Sequence, residues 1–214
     1  GTVGDVVLDP IPGCDELVDR EWQRLAAPGA TRAAAERLRV AAAARGDRPD
    51  DLTPEARAAR TIHDAPATIT EDWIADLTAD GLAIERYVEV LGVVARLRAV
   101  DTTTFGLGRS RRPLPEDVAD DVSDDAPTGQ LAVDAAYDGA WLPTVGPAWP
   151  PSILSALPGE LAGMHDVHDT LYLSAAPGGV APSMAELGAV RDGLDRMQME
   201  FVAARTSLIN DCFF

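Results

Sequence analysis

Ala79-Asp-Gly-Leu-Ala-Ile-Glu-Arg-Tyr-Val-Glu-Val-Leu-Gly-Val-Val-Ala-Arg96 is the most apolar stretch of the first half of the chain, and its period is helical. Ile84, Val88, Leu91 and Ala95 recur at spacings of four, three and four. Tyr87, Val90, Val94 and Leu97 widen that stripe until the pattern predicts a helix buried on two sides. Gly92, in the middle, permits a close helix crossing, because it presents no side chain.

Working toward the N-terminus, each neighbouring segment opens and stops as a helix would. Thr70 caps a segment in which Glu71 and Asp72 complement the positive end, Trp73, Ile74 and Leu77 form an apolar face, and Gly81 is the stop. Thr53-Pro54 is a cap followed by Pro at the first helical position, opening a helix that ends near Ile62 and His63. His63 has no ligand partner in its local sequence and reads as a helix-end residue. Thr31 is the expected cap of an Ala-rich helix running to about Arg45 and stopped by Gly46. Asp15 to Ala26, with Leu17, Trp22 and Leu25, makes a further short helix, broken at Pro28-Gly29. Cys14 precedes it between Gly13 and Asp15-Glu16, and acidic neighbours disfavour a thiolate, so it reads as a structural thiol.

In the other direction, Thr102 to Thr104 and Phe105-Gly-Leu-Gly end the central helix. The acidic tract from Glu116 to Asp125 lacks the loop spacing and the Gly of a calcium site and reads as a solvated linker. Trp141-Leu-Pro-Thr-Val-Gly-Pro-Ala-Trp-Pro-Pro151 excludes helix. Two tryptophans on such a strap are expected to lie over apolar surface; a structural strap is the preferred reading over a substrate lid. Pro158 opens a helix carrying Leu161, Met164, Leu171 and Tyr172. His165 and His168 lie three apart on it, a spacing at which two imidazoles can share a metal. No Glu stands between them, and a polar face is the preferred reading, with no metal expected. Ser183 with Glu186 is a capping box for a helix to about Arg191, which Gly193 ends.

Composition narrows the class. Apolar residues make up 46% of the chain but aromatic ones only 5%, so the core is built from Ala, Leu and Val, which favours packed helices over sheet. The expectation is an all-α protein of about eight to ten helices. A formal charge of -17 opposes nucleic-acid or anionic-membrane partners, which are polyanions. All basic residues are Arg, which removes Schiff-base lysine chemistry. Cys14 and Cys212 lie at opposite ends and make no disulfide scaffold. No apolar run approaches the roughly 20 residues of a membrane span, and the chain reads as cytoplasmic.

The last stretch, Asp195 to Phe214, carries the chemistry. Asp195 is a cap with Gln198 at the capping-box position. Met197, Met199, Phe201, Val202, Leu208 and Ile209 predict a helix packed on most sides, and Glu200 shares its neighbourhood with Ala203, Ala204 and Ser207. Cys212 follows.

Met199-Glu-Phe-Val-Ala-Ala-Arg-Thr-Ser-Leu-Ile-Asn-Asp-Cys-Phe-Phe214 resembles the start of the signature of the carboxymuconolactone decarboxylase and alkylhydroperoxidase superfamily, with Glu200, Arg205, Ser207, Asn210 and Cys212 at matching positions. The segment from Ala79 to Arg96 is similar to the helix pair that follows the active site in one repeat of that superfamily. Residues 14 to 50 depart from it, having no Cys-x-x-Cys and no Cys-x-x-x-His. The resemblance implies an alkylhydroperoxidase-like helical bundle: a degenerate half over 1–110, a linker and strap over 111–151, and the opening of a second half over 152–214. It further implies a thiol-dependent peroxidase-type, antioxidant oxidoreductase, with Glu200 as relay acid and Cys212 as the resolving cysteine. The attacking cysteine and the His of the pattern would fall after Phe214. A small peroxide substrate, a thiol reductant protein as partner and a homo-oligomer go with it, and no cofactor does. Two alternatives stand beside it: a non-catalytic scaffold or oligomerisation protein of the same fold, and a thiol-independent decarboxylase or lactonase.

Overall fold

Hydroxyl caps set the helix starts at two places. The structure, a computed structural model, describes residues 13–116, 129–149, 152–171, 190–191 and 194–209. Its helices are α1 (Cys14–Leu25), α2 (Ala34–Ala44), α3 (Pro54–Asp64), α4 (Glu71–Ala79), α5 (Ile84–Gly106), α6 (Pro158–Leu171) and α7 (Arg196–Ile209). Thr53 accepts a hydrogen bond from the Ala56 amide to open α3, and Thr70 accepts one from the Trp73 amide to open α4. Gly81, at φ 102°, takes the left-handed turn that ends α4. Among the described residues the fold is all-α apart from two minimal hairpins, β1 (Ala135–Ala136) with β2 (Thr144–Val145) and β3 (Val190–Arg191) with β4 (Leu194–Asp195). No described helix is long and apolar enough to cross a membrane.

The core forms around α5, whose burial its periodicity predicts. Tyr87, Val88, Val90, Val93, Val94, Leu97 and Val100 are all buried. Helices α2 and α3 pack on one side of α5, and α6 packs on another and against α1. Leu154 and Leu157, just before α6, belong to the same buried cluster as Val40, Ala59 and Ile62, so residues 152–171 share one core with the first half. Segment 109–113 is tied back onto α1. Arg109 pairs with Asp15, Arg112 pairs with Asp19, and the Trp22 indole N–H donates to the Pro113 carbonyl at 2.6 Å. Arg45 and Arg112 each lie 5.4 Å from the centre of the Trp22 ring.

Three local expectations are corrected. Thr31 does not cap α2: the helix begins at Ala34, and the Glu36 carboxylate accepts the Ala33 amide at 3.0 Å. Thr31 is buried instead, and gives both its amide and its hydroxyl to Glu89. The strap tryptophans are more outside than in, with Trp141 50% and Trp149 63% exposed; the strap buries Leu142 and Thr144. Finally, α7 is not packed on most sides. Met197, Phe201, Val202, Leu208 and Ile209 are exposed, and its only extensive contact among the described elements is with β4 just before it. A periodicity shows which residues want cover, and says nothing of whether the cover is present. The linker expected over Glu116 to Asp125 lies almost wholly outside the described residues, as does the predicted helix after Ser183.

Candidate functional site

Charged side chains fill the centre of the bundle. Glu21 of α1, Arg37 of α2, Glu89 and Arg96 of α5 and Glu160 of α6 are all buried. Arg37 donates from one Nη to Glu89 at 2.6 Å and to Glu160 at 2.7 Å. Arg96 donates from Nη1 to Glu160 at 2.6 Å and from Nε to Glu21 at 2.8 Å. Glu21 continues to Arg24, and Asp166 of α6 accepts both Arg24 and the paired N–H groups of Arg20, carrying the chain to the surface. At the other end Glu89 holds Thr31, whose hydroxyl accepts from Arg32, itself buried. Four helices are thereby tied by alternating charge.

Glycines make the room. A methyl at Gly92 would fall on the Glu160 carboxylate, and one at Gly29 on the Glu89–Arg37 pair. At Gly163 it would stand 3.0 Å from Arg96 Nε. The space that Gly92 leaves is filled by the Glu160 side chain of α6.

The electrostatics decide what this cluster can do. Burial pushes the Glu160 carboxyl up, but Arg37 and Arg96 more than reverse it and hold it below the ordinary carboxylate range. Burial also lowers Arg32, with Arg86 adding to the effect, to about 10. Glu160 is thereby held ionised near neutral pH, while Glu21 and Glu89 are each hydrogen-bonded and ion-paired to a buried guanidinium. Two buried nitrogens, Arg32 Nη2 and Arg37 Nε, find no hydrogen-bond partner among the described residues, although Arg32 Nη2 lies 3.7 Å from a Glu55 carboxylate oxygen. No group of His, Cys, Asp and Glu suited to a metal occurs among the described residues. Arg32 and Arg86 also form part of an open cleft of about 900 Å³ whose edge carries Asp47, Asp50 and Asp51 as well as Arg39 and Arg48. That mixture favours neither sign of ligand.

The residues singled out from sequence are scattered. Glu200 stands on α7 and is half-buried, together with Met199, Ala203 and Ser207 on the same side of the helix. Cys212 lies outside the described residues. Cys14 is buried at the start of α1, and burial with Asp15 beside it raises its thiol, which suits a structural role. His63 ends α3 against Asp64. His165 and His168 are both exposed on α6, with His168 next to Asp169. Sequence reasoning missed the charge network, although one signal was available: Glu89, Gly92 and Arg96 share a face of a helix read as buried on two sides.

Comparison of the chain with family models, with curated proteins and with solved structures finds no match.

Proposed function

We propose that this chain is a thiol-dependent, peroxidase-type oxidoreductase with an alkylhydroperoxidase-like fold, in which Glu200 is the relay acid and Cys212 the resolving thiol. The observation that carries the reading is the face Glu200 occupies. On α7 the larger apolar side chains Phe201, Val202, Leu208 and Ile209 are exposed, whereas Glu200 is half-buried beside the small residues Ala203 and Ser207. A carboxylate on the more covered side of a helix, flanked by small residues, has space for a reacting group and is partly withdrawn from water. The bundle of α1 to α6 serves as support, since its buried carboxylates are all committed to guanidinium partners.

In the reaction the attacking thiolate that the resemblance implies takes the terminal oxygen of a hydroperoxide. The O–O bond breaks, an alcohol leaves, and a sulfenic acid forms. Cys212 then attacks that sulfur, a disulfide closes and water departs; an external dithiol restores both thiols. Glu200 accepts the thiol proton and returns it to the leaving alkoxide.

Peroxide consumption coupled to a dithiol, measured on the full-length gene product, tests this. Glu200→Gln is expected to slow turnover by about 10²-fold or more, in keeping with general acid–base catalysis, and Cys212→Ser to abolish disulfide formation. Full activity of Cys212→Ser would instead support the thiol-independent decarboxylase or lactonase. Absence of turnover in the wild type would leave the scaffold reading.

A further inference from the structure

A largely apolar open cleft of about 450 Å³ lies between the strap and α6. Val145, Trp149, Pro158 and Leu161 supply its walls. That volume falls in the range of small-molecule sites, roughly 300–1,000 Å³, which combine apolar walls with a few convergent polar groups. Four polar side chains line it, of which Ser152 is engaged with the Pro147 and Trp149 backbone, leaving Ser155, His165 and Asp134. Ser155 is 8% exposed, and its Oγ accepts the Val145 amide at 2.7 Å. Its own O–H finds no acceptor among the described residues, and Ser155 lines the cleft, so this donor is available to a ligand there. His165 of α6 stands at the edge as a second hydrogen-bonding group, and the exposed Asp134 carboxylate lines the same edge.

These features define a ligand. The unused hydroxyl calls for an acceptor oxygen, since a buried donor without a partner is costly. Asp134, on a chain of charge -17, disfavours an anion. The Trp149 ring, 63% exposed at the cavity wall, offers apolar surface that a ligand would cover. We infer that this cavity binds a small neutral molecule with an apolar body and one acceptor oxygen, an alcohol or a carbonyl compound, whose oxygen receives the Ser155 hydroxyl. The inference is independent of the peroxidase reading and assigns the cavity no reaction.

The test is a titration followed through backbone amide shifts, with benzyl alcohol, toluene and benzoate as probes sharing one ring. Benzyl alcohol is expected to shift the Val145 and Ser155 amides saturably, with toluene and benzoate each binding about tenfold or more weakly. In Ser155→Ala, benzyl alcohol should bind no better than toluene. Because that change also takes the acceptor from the Val145 amide, a second variant, Ala132→Phe, fills the cavity and leaves the Ser155 bond in place; it should abolish binding of all three. The inference is overturned if no saturable shift occurs at these amides in the wild type, if benzoate binds as well as benzyl alcohol, or if Ala132→Phe leaves the titration unchanged.

Discussion

The bundle of α1 to α6 hides its charges, and α7 shows its apolar side chains. In the bundle, Glu21, Glu89, Glu160, Arg37 and Arg96 are at most 4% exposed, while on α7 Phe201 is 74% exposed. Both arrangements invert the usual rule, for different reasons. A buried charge is tolerated where opposite charges and hydrogen bonds replace the lost water. An apolar side chain stays in water where no described element covers it, and it costs the fold little because it contributes little. The position of a residue therefore reports on its partners more than on its type.

The contrast breaks most sharply at Glu160. Glu160→Ala takes one of two carboxylate partners from each of Arg37 and Arg96, leaving them Glu89 and Glu21, and is expected to cost about 3–5 kcal/mol in urea unfolding, as removal of one partner from a buried pair does. A cost near that of an exposed substitution would sink the account of the network. Gly92→Ala should cost about 1–3 kcal/mol, the range for overpacking a tight site. Because its methyl collides with Glu160, that cost should shrink in a Glu160→Ala background; strict additivity would show that the two do not interact.

Acid sharpens the comparison further. The folded-state pKa of Glu160 lies below its ordinary value of 4.5, so its contribution is complete above that value and is lost as pH falls toward the folded value. Loss of bundle stability should begin below about pH 4.5, and Glu160→Gln should flatten that part of the profile. Thermal unfolding against pH reads both. The smallest effect belongs to α7, where Phe201→Ala should change stability by no more than about 0.5 kcal/mol, as for an exposed site. A loss above 2 kcal/mol would mean that α7 is packed after all.

What the sequence made legible follows from how local the cause is. The Thr53 and Thr70 caps, the Gly81 stop and the burial of α5 rest on interactions within a few residues or on one period, and all appear as expected. Thr31 was misplaced because its partner, Glu89, is 58 residues away. The network escaped for the same reason: Arg37 and Glu160 are 123 residues apart, and a helical pattern treats both as solvent-facing charge. Glu89, Gly92 and Arg96 were legible in principle, since two charges flanking a glycine on one face of a buried helix demand a charged partner. Glu200 is a candidate only through a resemblance in local sequence; the structure adds its position on α7. The exposure of its helix was not legible, because cover comes from elsewhere in space.

The forked guanidinium has a consequence for how the bundle assembles. Arg37 and Arg96 both grip Glu160, from α2 and α5, and neither finds a second dry acceptor if α6 is absent. A half-built bundle would have to hold those charges without water or admit water to its centre. Partly assembled states are thereby penalised from within, so α6, although it follows a long intervening segment, should join the other helices in a single cooperative step and leave them only when they all come apart.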